Sequence, residues 1–327
     1  MATRSISPGQ VVLMEQPVIF ISNHEEKAAD RREHEVLEQY NTLTRNLKKQ
    51  MNKLNIRSEL KPHGKKGARD THVVNIWYSN CVGVEEKGLY LQFAKINHSC
   101  SPNCVVNYDE DRNVKIIAVA KMLKGEEILI NYLNLMVRER SGNLLRFERQ
   151  NKLKAWKFTC KCPVCLLSGQ EFAKNESLKK NLACLDERQK QCEEIRPKNI
   201  DNLVNYARKR LTLEIEICKI MKKLGAETIV YIPDSLHLCY VFSKMLQILG
   251  VSLAYTPDHY RSASRQQATM LGDTFARNFK IRDRLADRTL SIVLRDKINA
   301  KKASMLNGIT IVIQSSPSDV DFEEKQN

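Results

Sequence analysis

The sequence predicts a mixed α+β fold in which short strands come first and helices follow. Short runs of β-branched residues recur between Val73 and Tyr132, which is typical of strands. Apolar residues recur at three- and four-residue steps after Cys165, which is typical of amphipathic helices. The 327 residues are 42% hydrophobic and 28% charged, an ordinary globular composition that excludes collagen-like, wholly disordered and membrane-spanning classes.

The first strands are expected close to the start of the chain. A turn at residues 7–10 precedes the apolar runs 11–14 and 18–21, which Pro17 separates. The first thirty residues contain no long apolar run, so neither a signal peptide nor a transmembrane helix is predicted. We therefore expect an intracellular protein, in the nucleus, the cytoplasm or both, with its ten cysteines reduced.

A strongly basic segment occupies residues 45–69. Leu43, Leu47, Met51 and Leu54 predict an amphipathic helix with a basic outer face, followed by a polar loop. With the net charge of +15, this segment favours an acidic partner, although a solvated surface explains the charge equally well. Against the single acid Glu59, the basic residues are Arg45, Lys48, Lys49, Lys53, Arg57, Lys61, Lys65, Lys66 and Arg69.

The rest of the chain divides into a β part and an α part. Val73 and Val74 and the runs 105–106, 114–119 and 128–130 predict strands of a compact β domain, with turns at 109–113 and 125–126. Apolar periodicity predicts helices over 203–224 and 236–249, and a polar helix from Met270 to Arg288. A serine-rich and acidic end, residues 311–327, is expected to be disordered.

Cys160, Cys162 and Cys165 form a C-x-C-x-x-C cluster. Tetrahedral zinc bound by three such thiolates needs one more ligand, and Cys100 and Cys104 are the nearest cysteines outside the cluster. Buried structural thiols are the alternative. Three cysteines within six residues around Pro163 favour a metal site.

Three ordered motifs, INHSCSPNC at 96–104, GEEILINY at 125–132 and WKFTCKCPVC at 156–165, resemble the SET domain with its post-SET zinc loop. Residues 7–19 are similar to the strand pair near the start of such domains, and the helical end is similar to that of SET and MYND proteins. The resemblance implies a SET-type β-fold followed by an all-α, TPR-like C-terminal domain. The implied domains are a truncated N-terminal part of the SET domain (1–22), a basic helical insert (23–72), the SET core (73–158), the post-SET zinc loop (159–168), the helical domain (169–310) and the tail.

The resemblance also implies S-adenosylmethionine as methyl donor and a protein lysine as acceptor. Tyr132 matches the catalytic tyrosine, and Val82, Trp156 and Tyr132 match the lysine channel. Without the family, an Asn-His pair is more often a core or turn feature, and Tyr132 is an ordinary strand aromatic. Trp156 and Phe158 would then only anchor the loop. The implied cofactor residues are Asn97, His98, Ala94, Lys95, Ile96, Asn80 and Phe158, and the implied ligands of a structural zinc are Cys100, Cys160, Cys162 and Cys165.

Two departures from the family pattern bear on activity. SET domains usually begin with a Gly-x-Gly segment beside the cofactor, and this sequence starts at Met1, where that segment should have ended. Either a truncated start or weakened cofactor binding follows. No paired cysteines and histidines lie between Ile21 and Tyr78, so a MYND finger is not expected.

Three functions are consistent with these observations. The first is a zinc-containing protein-lysine methyltransferase that acts on a histone tail or another protein. The second is an inactive SET scaffold that serves as a protein-interaction module. The third, ranked last, is nucleic-acid binding through residues 45–69, which lack interleaved aromatics. A monomer without membrane contact is expected.

Overall fold

The computed structural model describes residues 1–22, 27–56, 67–83, 86–136, 141–194, 200–225 and 228–270. The predicted α+β class is confirmed, with short strands in the first part and helices after it. The strands are β1 (Val11–Glu15), β2 (Ile19–Ile21), β3 (Lys87–Leu89), β4 (Asn97–His98), β5 (Cys104–Tyr108), β6 (Val114–Ala118) and β7 (Leu129–Ile130). The helices are α1 (Ala29–Thr42), α2 (Arg45–Met51), α3 (Ala68–Asn80), α4 (Leu133–Met136), α5 (Arg146–Leu153), α6 (Pro163–Leu166), α7 (Gly169–Glu194), α8 (Ile200–Leu224), α9 (Ile232–Ile248) and α10 (Pro257–Met270).

The described strands form small sheets that place the functional segments. β6 lies between β1 and β5 and is antiparallel to both, while β2 pairs antiparallel with β3. β4 pairs in parallel with β7, so that His98 lies beside Ile130. Because β7 ends just before Tyr132, this pair brings the Asn-His segment next to the predicted catalytic tyrosine.

The helices α1, α2 and α3 pack over β2 and β3. Val36, Tyr40, Met51 and Trp77 share one buried cluster with the strand residues. The predicted basic helix is confirmed as α2, whose N-terminus is capped by the Thr44 hydroxyl accepting from the Leu47 backbone N–H. The polar loop predicted after it falls largely on residues 57–66, which lie outside the described residues.

The strand predicted at Val73 and Val74 is wrong, because both residues lie inside α3. Five consecutive residues of this helix, 73–77, are buried. A helix enclosed on most sides shows an uninterrupted run of buried residues, and hydrophobic periodicity alone cannot distinguish such a run from a buried strand. The same helix runs across the domain boundary predicted at residue 72.

The C-terminal part is all helical within the described residues, as predicted. Consecutive helices α7 to α10 pack against one another around a cluster that includes Leu182, Ile217 and Leu246. Buried Arg210 pairs with Glu193 at 2.8 Å and with Glu214 at 3.2 Å, which ties α8 to α7. The helix predicted from Met270 to Arg288 and the tail at 311–327 lie outside the described residues, apart from Met270.

No helix in the described ranges has both the length and the apolar character needed to cross a lipid bilayer.

Candidate functional site

Four cysteine thiols meet between the Asn-His segment and the loop before α6. The Sγ atoms of Cys100, Cys160, Cys162 and Cys165 all lie within 4.8 Å of one another. Cys100 Sγ lies 4.0 Å from Cys160 Sγ and 3.6 Å from Cys165 Sγ. Zinc–sulfur bonds of about 2.3 Å in a tetrahedron separate the sulfurs by about 3.8 Å. The separations of Cys100 Sγ from two of its neighbours are therefore close to those of a tetrahedral zinc site.

Proton sharing among these thiols prepares them to bind a cation. Hydrogen bonds from Cys100 lower the pKa of Cys162 and of Cys165, while the hydrogen bonds to its three neighbours raise the pKa of Cys100. Thiolates are the form that binds metal, and a bound cation displaces the remaining protons. The donor set is thus chemically suited to a divalent metal.

Two residues of α5 hold the cysteine loop in place. Gln150 clamps Cys160, accepting from its backbone N–H at 3.0 Å and donating to its carbonyl at 2.8 Å. Arg149, only 2% exposed, donates from Nη1 to the Leu144 carbonyl at 2.7 Å and lies with Nη2 3.8 Å from Cys165 Sγ. If four thiolates held a divalent metal here, the buried guanidinium would offset their negative charge.

His98 connects the cysteine cluster with Tyr132. Its Nδ1 accepts a hydrogen bond from the Tyr132 backbone N–H at 3.0 Å, so the neutral ring carries its proton on Nε2, 3.3 Å from Cys100 Sγ. Burial lowers the pKa of His98 to about 4, which keeps the ring neutral at physiological pH. The Tyr132 hydroxyl donates to the Ile96 carbonyl at 2.5 Å. Both ends of the tyrosine are therefore fixed by the Asn-His segment.

The predicted cofactor residues line one cavity of about 800 Å³, which we name the aromatic cavity. Its aromatic wall is Tyr132, Trp156 and Phe158, with ring centroids 5.4 Å apart for Tyr132 and Trp156 and 6.4 Å apart for Tyr132 and Phe158. Lys157, between the two loop aromatics, adopts left-handed backbone geometry (φ 58°). Every residue predicted to bind cofactor or to form the channel lines this cavity: Asn80, Val82, Ala94, Lys95, Ile96, Asn97, His98, Tyr132, Trp156 and Phe158.

Clamps from other segments also fix the backbone wall of the aromatic cavity. The Glu15 carboxylate accepts from the backbone N–H groups of Gln92 and Phe93, at 2.9 to 3.0 Å, where the turn leading to Ala94 begins. Asn103 bridges β7, accepting from the Leu129 N–H at 2.8 Å and donating to the Glu127 carbonyl at 2.7 Å. The segment from Ala94 to Ser99 is thus held from both sides.

Asn80 differs in part from its prediction. Its amide nitrogen donates to the carbonyls of Ile76 and Asn55, at 2.8 and 2.9 Å, and so helps to end α3. Only its side-chain oxygen is left for the predicted role toward a cofactor.

A second cavity of about 780 Å³ lies between the SET-like part and the helical part. We name it the acidic cleft, because its described lining includes the carboxylates Glu86, Asp109, Glu110 and Asp234 against the guanidinium of Arg112. Tyr231, just before α9, closes one side and donates from its hydroxyl to Asn134 Oδ1 at 3.0 Å.

The two cavities meet at Val82, Gly83 and Leu135, which line both. Gly83 has a φ of 121°, and a Cβ there would lie 1.9 Å from the Glu86 carbonyl oxygen. Only glycine fits this backbone. Val82 is held by paired backbone hydrogen bonds to Gly88, each 2.9 Å long. The backbone that the two cavities share at Val82 and Gly83 is therefore fixed.

Several residues that build the site gave no sequence signal. Glu15 holds Gln92, 77 residues along the chain. Asn103 lies inside the 96–104 motif, but nothing in that motif indicates its contact with β7. Gln150 lies 10 residues before Cys160, and no motif marks it as a partner. The spacing of Arg149 from the cysteines also carries no recognised pattern. The lining of the acidic cleft comes from separate segments, so only the folded chain brings it together.

Comparisons with known proteins agree with the motif resemblance. Residues 1–133 match the family model described as SET domain. The protein-lysine N-trimethyltransferase SMYD5 of Gallus gallus is 36% identical over 96 residues, 29% of this chain and 21% of that protein. The N-lysine methyltransferase SMYD2-B of Danio rerio is 27% identical over 183 residues, 52% of this chain and 37% of that protein. The histone-lysine N-methyltransferase set5 of Schizosaccharomyces pombe is 28% identical over 170 residues, 50% of this chain and 49% of that protein.

The chain thus spans less than half the length of each of these relatives.

Proposed function

We propose that this chain, in which residues 1–133 form a SET domain, methylates lysine side chains of protein substrates with S-adenosylmethionine as methyl donor. The strongest support is that Tyr132 lines the aromatic cavity and that Val82, Gly83 and Leu135 line both this cavity and the acidic cleft. The relatives named as protein-lysine methyltransferases support the same reaction class.

The aromatic cavity suits S-adenosylmethionine. Its volume of about 800 Å³ falls in the range of small-molecule sites. Backbone groups of the segment from Ala94 to Ser99 and the ring of Phe158 would hold the cofactor, with Asn97 and the side-chain oxygen of Asn80 beside them. When bound, this cofactor supplies a methyl group on a positively charged sulfur.

Tyr132 is the proposed catalytic residue, and its part is orientation. Since His98 fixes its backbone and Ile96 accepts from its hydroxyl, the phenol oxygen has one position. From there its lone pairs can align an incoming amine and a polarised methyl group through weak C–H···O contacts. No acid or base with a shifted pKa is required, because alignment of a neutral amine supplies most of the rate.

The aromatic rings serve the lysine side chain. Trp156 and Tyr132, at a 5.4 Å centroid separation, form a wall that accepts an apolar stem and a methylated cationic head. Desolvation among such rings lowers the pKa of a lysine amine and so favours the neutral nucleophile. Val82, at the junction, leaves the channel wider than an aromatic residue would.

The acidic cleft supports a substrate in which basic residues flank the target lysine, as in a histone tail. Glu110 and Asp234 line the cleft from different elements, the first from the turn between β5 and β6 and the second from the first turn of α9. Carboxylates around a cleft attract cationic peptides and fix their register.

The cysteine cluster holds a structural zinc in this proposal. Cys100 belongs to the Asn-His segment, and the other three ligands follow Trp156 and Phe158 in the sequence. Zinc would thus fasten both walls of the aromatic cavity to each other, with no open position for substrate. The domain boundaries, intracellular location and monomeric state given above stay predictions. The alternative of an inactive scaffold has no observation in its favour.

Methyl transfer from tritiated S-adenosylmethionine tests the proposal directly. The full chain should label a peptide in which arginines flank one lysine, and label its acidic-flanked counterpart more slowly. Tyr132→Phe should lower the rate by about 100-fold or more, because alignment is lost. Cofactor affinity should change little, which calorimetry checks.

Two results would contradict the proposal: no labelling of any lysine peptide by a chain that binds the cofactor, or an unchanged rate in Tyr132→Phe. Tyr255→Phe is a matched control, since Tyr255 is exposed and lines neither cavity.

A further inference from the structure

A cationic face lies on α2 and at the start of α3. Four of its five cations, Arg45, Lys49, Lys53 and Arg69, are exposed, and Lys48 is half-buried. Arg45, Lys48 and Lys49 are spaced by three and four residues, so they share one side of α2. None of the five lines the aromatic cavity or the acidic cleft. The proposed methyl transfer therefore does not explain the cationic face.

Two of the cations come from different helices and converge on the same neutral residue. Lys48 Nζ donates to the Asn41 carbonyl at 2.7 Å, and Arg69 Nη2 donates to Asn41 Oδ1 at 3.0 Å. Their charged groups lie 5.4 and 5.6 Å from the centroid of the Tyr40 ring. Neutral acceptors hold these side chains in place and leave both charges uncompensated.

Across the described ranges, no member of the cationic face forms an ion pair. Among the acids nearby in the sequence, Glu38 is exposed and lies 3.5 Å from His34 Nδ1, and Asp70 lies in the first turn of α3, next to Arg69 in the sequence. Arg45 occupies the first position of α2, where the helix dipole disfavours a cation. Fold stability does not explain this concentration of charge, whereas an external anion would relieve it.

We propose that the cationic face binds the phosphate backbone of duplex DNA without sequence preference. Tyr40 is only 4% exposed beneath its two cations, so it offers no stacking surface for the bases of a single strand. The exposed residues of α2, Arg45, Asn46 and Lys49, include no apolar or aromatic anchor of the kind on which protein interfaces depend. Phosphate backbones are bound by charge alone, through release of counterions.

Two helices hold the cations of this face in fixed positions, which suits duplex DNA, a stiff partner whose phosphates are regularly spaced. This inference stands apart from methyl transfer, because binding is measured without cofactor and without a lysine substrate.

Fluorescence anisotropy of a labelled duplex with the full chain, across a series of salt concentrations, tests the inference. With four or five phosphates contacted, affinity should fall roughly 100- to 500-fold between 50 and 200 mM salt. The triple variant Arg45→Ala, Lys49→Ala, Lys53→Ala should reduce the slope of log affinity against log salt by about 2.7. Lys48 and Arg69 stay unchanged, because their contacts with Asn41 join α2 to α3.

The matched control removes three exposed lysines elsewhere, as Lys121→Ala, Lys180→Ala and Lys190→Ala. It should keep the slope of the parent chain. Equal losses in the two triple variants, no duplex binding at 50 mM salt, or equal affinity for polyglutamate of the same charge would each overturn the inference. If the first triple variant melts at a lower temperature than the parent chain, the variant Arg45→Gln, Lys49→Gln, Lys53→Gln replaces it in the comparison of salt slopes.

Discussion

The aromatic cavity and the acidic cleft are nearly equal in size, about 800 and 780 Å³, but they are built in different ways. Backbone segments line much of the aromatic cavity, and they are fastened to one another by four thiols and by the clamps of Glu15, Asn103 and Gln150. Charged side chains from separate segments line the acidic cleft. In the proposed reaction, the aromatic cavity is the preorganised site and the acidic cleft is the charged surface along which the substrate approaches it.

This difference predicts two kinds of response to substitution. Loss of one fastening should disturb several walls of the aromatic cavity at once, because each clamp supports residues far along the chain. Loss of one carboxylate from the acidic cleft should cost only its own share of the attraction, since exposed charges contribute modestly and nearly independently.

Cys162→Ser should give the largest effect. With one thiolate removed, zinc affinity should fall by at least about 100-fold, since the four ligands act together. The loop that carries Trp156 and Phe158 should loosen, and the melting temperature should fall. Metal analysis after dialysis against a mild chelator measures the loss. Cys184→Ser, an exposed cysteine outside the cluster, is the control, and stoichiometric zinc in Cys162→Ser would refute the four-cysteine site.

Arg149→Met should come next. The buried guanidinium contacts Cys165 Sγ and the Leu144 carbonyl, so its loss should weaken zinc binding by about 10- to 100-fold. Arg149→Lys keeps the charge and should recover part of the affinity. Competition with a colorimetric chelator measures both variants without any enzyme assay. If Arg149→Met and Arg149→Lys both bind zinc as tightly as the parent chain, the charge of Arg149 does not contribute to metal binding.

Neutralising the acidic cleft should have a smaller effect, limited to binding of the peptide substrate. The double variant Glu110→Gln, Asp234→Asn should raise KM for a basic peptide by about 3- to 10-fold. Glu110 is exposed and Asp234 is half-buried, and a charge in contact with solvent contributes about 1 kcal/mol or less. The rate at saturation and cofactor affinity should stay near those of the parent chain. The control is the double variant Glu187→Gln, Glu194→Gln, since both residues are exposed and neither lines the cleft. An unchanged KM would remove the cleft from substrate binding.

Asp109→Asn should give the smallest effect, and one that depends on pH. Desolvation opposes ionisation of this carboxyl, but hydrogen bonds from Asn113 and Lys115 lower its pKa below the usual 3.8. Its contribution to stability is therefore fully present above pH 3.8 and is lost as the pH falls through the lower folded value.

Denaturation of both proteins between neutral and acid pH measures this contribution. The difference in the free energy of unfolding should be under about 1 kcal/mol at neutral pH and should shrink toward zero in acid. A difference that grows in acid would contradict the assignment.

The two cavities also differ in how far the sequence predicts them. The residues that line the aromatic cavity belong to dense local motifs, so Tyr132, Asn97, His98 and the cysteines could be named before the fold was known. Gln150 and Glu15 could not, since both act through ordinary hydrogen-bonding groups that belong to no motif, and Glu15 acts on a segment 78 residues away. The strand predicted at Val73 failed because burial on all sides hides helical periodicity.

The acidic cleft could not be predicted at all. Glu86, Glu110 and Asp234 come from three separate segments, and the packing of the helical part against the SET-like part brings Asp234 to the other two. The hydrogen bond between Tyr231 and Asn134 contributes to that packing.

Binding of a two-part ligand most directly tests whether the two cavities form one active site. The ligand joins the side-chain nitrogen of a lysine in a basic peptide to the adenosine portion of the cofactor. Calorimetry should show it binding at least about 100-fold more tightly than S-adenosylhomocysteine, because both cavities are then filled at once. The double variant Glu110→Gln, Asp234→Asn should weaken the conjugate and leave S-adenosylhomocysteine unaffected. Equal affinities for the conjugate and for S-adenosylhomocysteine would contradict a shared site.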